Sequence, residues 1–226
     1  MNRLRLCAAL AMMAAIVPAH ASSIIAYTDP GGSGNQAWGG NLALDFTVNS
    51  AITVSAMGVF NAAGAGLIAG TLQVAIFNTG TNTQVTPTVT FHGAYTPTGF
   101  DVFQSITPVT LGPGNYLVDA VGFSASDLNG NLNLGGSGPA LNTGGGLLSF
   151  TGAGWDSNST LDEPLTCAIC KAAPSPQNRQ FDAGTFQFSA LSSVPEPGTA
   201  GLILCGMALA AALRRRHART KFTGAH

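Results

Sequence analysis

Two cysteines, Cys167 and Cys170, and two tryptophans, Trp38 and Trp155, are the residues of this chain whose type and spacing bear most directly on chemistry. A Cys-x-x-Cys spacing serves a local disulfide, a redox pair or half of a metal site. A redox pair needs a helix N-terminus to lower one thiol pKa, and Pro174 and Pro176 follow too closely for a helix of useful length. Closing so small a loop by a disulfide stabilises by roughly 2 kcal/mol on a chain-entropy argument, and a disulfide is the expectation in an oxidising compartment. A zinc centre needs four ligands. His92 is the only histidine between Ser22 and Val194, so a Cys/His cluster reaches at most three, and no metal or cofactor is expected. Trp38 and Trp155 each lie in a glycine-rich stretch. Such a tryptophan either caps one end of a β core or offers its ring face to a pyranose of a polysaccharide.

Carboxylates are the other candidates. From Asp156 to Glu163 oxygen-bearing side chains recur at alternate positions, as in calcium loops. The sixth place holds Leu161 where an EF-hand needs glycine, and the twelfth holds Cys167, so this is no EF-hand. A calcium loop of another kind and a plain solvated loop both stay open. Glycoside hydrolysis needs two carboxylates flanking the bond. Glu163 is the only glutamate between Ser22 and Val194, it stands beside Pro164, and the aspartates fall mostly at strand edges or turns. For acyl transfer His92 is the only imidazole base, and no Gly-x-Ser-x-Gly elbow is present. No constellation favours an enzyme.

The elements that must position these residues read as strands. Leu42, Leu44, Phe46 and Val48 alternate with Ala43, Asp45 and Thr47, and Ile52, Val54 and Ala56 continue the period of two. The phase slips at Met57-Gly58, which predicts a β-bulge there. Further strands are predicted at Leu72 to Ile76, Val89 to Phe91, Tyr116 to Ala120 and Phe181 to Phe188, with turn residues at 61–66, 78–82, 97–99 and 112–114. Residues 29–40, 124–146 and 162–180 read as loops. No helical period persists outside the two ends of the chain. Short strands at this spacing predict a single antiparallel all-β domain, a β-sandwich or jelly roll, over residues 22–193. The run Leu111-Gly112-Pro113-Gly114-Asn115-Tyr116 resembles the tyrosine corner of Greek-key proteins, which implies a structural hydroxyl bond from Tyr116 back across the turn.

Charge is distributed unevenly. Five of the nine basic residues lie in the last thirteen positions and two more are Arg3 and Arg5. Between Ser22 and Val194 only Lys171 and Arg179 stand against nine acids, a net charge of −7. Such a region lacks the cations that displace phosphate counterions, so nucleic acid is excluded as a partner, while cations would be attracted.

The ends explain where the positive charge went. Arg3 and Arg5 precede a twelve-residue apolar core from Leu6 to Val17, and Ala19-His20-Ala21 is a small-x-small site. Residues 1–21 are therefore predicted to be a signal peptide, cut by signal peptidase between Ala21 and Ser22. At the other end Val194-Pro195-Glu196-Pro197 leads into an apolar run closed by Arg214, Arg215 and Arg216. The prolines force an extended, protease-accessible segment. Gly198 to Leu213 would reach roughly 24 Å as a helix, a marginal span for a bilayer core of about 30 Å. The arginines would stay cytoplasmic as a stop-transfer cluster and leave the domain outside.

This order over 194–216, followed by a cytoplasmic tail at 217–226, resembles the PEP-CTERM sorting signal of exopolysaccharide-producing Gram-negative bacteria. The matching residues are Pro195, Glu196, Pro197, the apolar stretch and Arg214 to Arg216. The resemblance implies recognition by an exosortase-type membrane enzyme, an inner-membrane precursor held by a C-terminal transmembrane helix, and a final place at the cell surface or in the exopolysaccharide matrix. The run from Trp38-Gly39-Gly40 to Val59-Phe60 is similar to the opening of β-sandwich domains in PEP-CTERM surface proteins. The expected role is non-enzymatic, structural or interactive, with a carbohydrate-binding module as the alternative.

Overall fold

Period-two patterning places alternate side chains on opposite faces of a strand, and the chain turns that pattern into antiparallel sheets. The computed structural model describes residues 22–136, 138–161 and 181–191, all within one compact unit, Ala21–Ser192. Numbered in chain order, the strands are β1 (Ile24–Ile25), β2 (Tyr27–Thr28), β3 (Leu42–Val48), β4 (Ile52–Phe60), β5 (Leu67–Asn78), β6 (Thr83–Gln84), β7 (Val89–Ala94), β8 (Asp101–Leu111), β9 (Gly114–Val121), β10 (Gly130–Asn131), β11 (Ala140–Leu141), β12 (Leu148–Trp155), β13 (Phe181–Asp182) and β14 (Gly184–Ala190). Two 3-10 turns, Ala62–Gly64 and Leu132–Leu134, are the helical pieces among the described residues. Every strand pairing is antiparallel.

One sheet runs β1-β14-β4-β8 and the other β12-β3-β9-β5-β6, with β7 also on β5; β2 pairs with β11, and β10 with β13, as short ribbons. The two large sheets share one core, giving a sandwich-like arrangement. Phe46 of β3 meets Phe186 of β14 with ring centroids 5.0 Å apart. Leu42, Leu44, Phe46 and Val48 are all buried in that core, as their alternation predicts. The sheets approach so closely at Gly184 that a Cβ there would lie 2.8 Å from Val74 Cγ2 and 3.0 Å from Ala120 Cβ. On its outer face the larger sheet carries a second apolar cluster, Ala43, Ala75, Phe77 and Leu117, with Leu161 packed over it.

Tyr116 behaves as its setting predicts. Its hydroxyl donates to the Gly112 carbonyl at 3.0 Å, tying the strand start to the preceding turn. Other expectations need correction. The bulge in β4 lies not at Met57-Gly58 but at Ser55: Val54 pairs with Phe188 and Ala56 with Gln187, leaving Ser55 as the extra residue. The slip of phase therefore precedes Met57, which joins Ile52, Val54 and Val59 in the core. Residues 124–146 are not one loop, because β10, a 3-10 turn and β11 lie within them. Strands β8 and β12 carry no clear alternation. β8 is an edge strand paired only with β4, where Pro108 is tolerated, and much of it faces solvent on both sides. β12 is interrupted by Gly152 and Gly154 and by a register shift after Phe150. The Cys167–Cys170 pair, the signal peptide, the Pro-Glu-Pro motif, the apolar C-terminal run and the arginine cluster all lie outside the described residues.

Candidate functional site

Trp38 and Trp155 are 117 positions apart in the chain, yet they meet. Trp155 is the last residue of β12 and pairs with Leu42 at the start of β3. Trp38 lies in the segment that leads into β3, just after a bridge between Gln36 and Asn129. The indoles form an edge-to-face pair, 5.1 Å between centroids and 90° between planes. Trp38 is half-buried against the core, and its indole N–H donates to the Asp156 carbonyl at 3.0 Å. That close approach demands Gly40, since a Cβ there would sit 2.2 Å from the same carbonyl oxygen. Trp155 remains 40% exposed. Trp38 thus packs at the edge of the core, while Trp155 keeps part of its surface in solvent.

The pair walls a cavity of about 270 Å³ whose base is Leu42 and Phe181, with Leu134 at the rim and Gln36, Asn131 and Asn133 as its polar residues. Leu134 is 61% exposed. The amides are held by one another. Asn129 and Asn131 donate their side-chain Nδ2 to Gln36 Oε1 at 3.0 and 2.9 Å, and Asn131 Oδ1 accepts from the Asn133 backbone at 2.9 Å. Asn35 clamps the Asn131 backbone from both sides, its Oδ1 accepting at 2.7 Å and its Nδ2 donating at 2.9 Å. Within the described residues no hydrogen bond uses Gln36 Nε2 or the side-chain amide of Asn133. Among the described residues no charged side chain lines the cavity. Sequence reading named the two tryptophans and missed the amides. Their signal was faint: asparagines at 129, 131 and 133, spaced by two as on one strand face.

The remaining candidates fall elsewhere. His92 lies exposed on β7, its Nδ1 in hydrogen-bond contact with the Gly70 carbonyl at 2.7 Å. The Asp156 loop is clasped by the buried Asn41, whose Nδ2 stands 3.0 Å from Asp156 Oδ1, 3.2 Å from the Asn158 carbonyl and 3.1 Å from the Thr160 carbonyl. Those oxygens converge on an amide donor. Asp162 and Glu163 lie outside the described residues.

A cluster unforeseen in the sequence sits behind the cavity. Asp29, Asp101 and Asp182 are all buried, 3%, 2% and 1% exposed. Burial first, then the neighbouring charges of Asp29 and Asp101, push the Asp182 carboxyl up to about 9. Burial and then Asp29 push Asp101 up to about 8. Tyr27, wholly buried beside them, is raised well above its ordinary value by burial and by the charges of Asp182 and Asp101. No protein-family model matches the chain, and no curated protein matches it significantly.

Proposed function

We propose that this chain is an exported cell-surface or exopolysaccharide-matrix protein whose β-sandwich, jelly-roll-like outer domain binds a neutral saccharide between Trp38 and Trp155. The binding reading rests on one observation: two tryptophans distant in sequence converge with side-chain amides on one cavity. A pyranose has an apolar C–H face and a rim of hydroxyls. The exposed Trp155 ring suits the face, and Gln36, Asn131 and Asn133 suit the hydroxyls. The described lining residues offer amides and apolar surface, a set that suits a neutral ligand. At about 270 Å³ the cavity is at the small end of ligand sites, which run to about 300–1,000 Å³. It therefore suits a chain end or a short stretch of a polymer. The domain works without catalysis in this reading, and its address comes from the ends: signal peptidase at Ala21, a C-terminal helix that holds the precursor in the inner membrane, and an exosortase-type enzyme at Val194 to Pro197.

The mature chain, starting at Ser22, is expected to bind a subset of neutral glycans on an array. Trp155→Ala is expected to weaken that binding about tenfold or more, the equivalent of about 1.4 kcal/mol of lost ring contact. Binding to no glycan, or binding indifferent to Trp155→Ala, would return the domain to a purely structural role. Intact-mass analysis of the protein from its own host tests the address; retention of residues 1–21 would defeat it.

A further inference from the structure

A backbone N–H only donates, so it identifies the end of any side-chain amide that it meets. The Asn133 N–H donates to the Asn131 side chain at 2.9 Å, which makes the receiving atom Oδ1. The other end of that amide is therefore Nδ2, and it meets Gln36 at 2.9 Å. An amide nitrogen donates, so the Gln36 atom that receives it is Oε1. Asn129 Nδ2 donates to the same oxygen at 3.0 Å. One backbone bond thus orients the whole row of amides. It leaves Gln36 Nε2, with its two N–H groups, as the free end of a side chain that lines the tryptophan cavity. The backbone fixes Gln36 as well: its N–H donates to the Asn129 carbonyl at 3.1 Å, and its carbonyl accepts from the Asn129 N–H at 2.8 Å.

The side-chain acceptors of this wall are engaged: Gln36 Oε1 takes two donors, and Asn131 Oδ1 takes the Asn133 N–H. The floor beside them is apolar, with Leu42 1% and Phe181 4% exposed. A ligand group that reaches this floor must accept from Gln36 Nε2 and set carbon against Leu42 and Phe181. A hydroxyl meets half of that demand. It accepts from Nε2, but its own hydrogen then points at apolar side chains, and a donor buried without a partner is costly. An acetamido group meets both halves. Its carbonyl oxygen only accepts, and its methyl is apolar and packs well on an aromatic ring. Its N–H is left for water or for the side-chain amide of Asn133, which stands exposed at the rim.

We propose that the tryptophan cavity selects an N-acetylated sugar, with Gln36 Nε2 donating to the acetamido carbonyl and Leu42 and Phe181 forming the floor under its methyl. The inference rests on the saccharide reading of the cavity and narrows it to one class of sugar. Roles divide between the residues. Trp155 supplies ring contact that any pyranose face uses, so it sets affinity. Gln36 supplies a donor that only an accepting substituent uses, so it sets specificity. The volume of about 270 Å³ suits one substituted sugar ring rather than several.

The test is calorimetric titration of the mature chain with matched pairs that differ in the acetamido group: chitotriose against cellotriose, and N-acetylgalactosamine against galactose. In at least one pair the acetylated member is expected to bind about tenfold tighter or more, from one added hydrogen bond and one buried methyl. Gln36→Glu keeps an oxygen for Asn129 and Asn131 and replaces the free donor by an acceptor. It is expected to bring the two members of that pair together. Trp155→Ala is expected to weaken both members alike and leave their ratio unchanged, which separates specificity from general contact. Equal binding within both pairs by the wild type, or tighter binding of the hydroxyl members, overturns the proposal and leaves the saccharide reading standing. So does a full acetamido preference in Gln36→Glu. Failure of the wild type to bind these sugars or any neutral glycan on an array overturns both.

Discussion

Replacing Phe186 by alanine is expected to cost the domain about 3–5 kcal/mol of stability, read from the midpoint of urea unfolding at unchanged slope. Phe186 is fully buried on β14 and joins the two sheets through its ring. Its centroid lies 5.0 Å from that of Phe46 across the core and 5.8 Å from that of Phe188 on its own strand. Phe46 in turn stacks on Tyr116 at 5.7 Å, the planes 21° apart. Truncation removes the ring's transfer free energy and leaves a cavity between strands that cannot collapse without sliding one sheet on the other. Domains of this size hold only about 5–15 kcal/mol in total, so the loss is a large share. Phe150→Ala removes a half-buried ring from the same group and should cost clearly less. A loss below about 1 kcal/mol at Phe186 would mean that the sheets do not depend on this contact.

Stability is expected to fall as pH rises, opposite to the behaviour of proteins stabilised by ionised, paired carboxylates. Asp101 and Asp182 are raised from 3.8 to about 8 and about 9. The unfolded chain gives up these protons near pH 4, while the folded chain holds them to pH 8–9. Between those limits unfolding releases protons, so rising pH favours the unfolded state. The contribution is therefore complete below about pH 4, declines across the window, and is lost above about pH 9. The two groups are close enough to titrate as a pair, so the decline spreads over the window. Urea midpoints at about pH 5 and about pH 8 check the sign, and Asp182→Asn should flatten the slope and stabilise at the higher pH. A midpoint that rises with pH would show that these carboxyls are ionised in the fold.

Much of this architecture was legible in the chain. Alternation from Leu42 to Val48 gave the inward face of β3 because only one side of that strand meets the core. The Gly-Pro-Gly turn before Tyr116 announced the hydroxyl bond to Gly112. Where both faces of a strand are wet, as along much of β8, or where glycines interrupt it, as in β12, alternation fades and the strands escape notice. The bulge was sensed but misplaced. Periodicity reports that a phase has changed, while the extra residue, Ser55, is set by how β4 pairs with β14 and β8.

The site followed a different logic. Trp38 and Trp155 stood out singly, as rare residues in glycine-rich stretches. Gln36, Asn131 and Asn133 did not, because an amide in a polar loop is ordinary until a hydrogen-bond ladder holds it in place. Asp29, Asp101 and Asp182 read as turn and strand-edge residues. Only their burial together gives them unusual chemistry.

By itself the sequence determined the class of fold, the face each regular strand turns inward, the acidic character of the outer region and the expectation of export and sorting. All of these are local or summed properties, carried by period, composition and linear motif. Tertiary structure decided that two tryptophans would share one cavity and that three carboxyls from distant segments would be buried side by side. Which strands become neighbours depends on how whole sheets pack, and desolvation acts on a carboxyl only after that packing has excluded water.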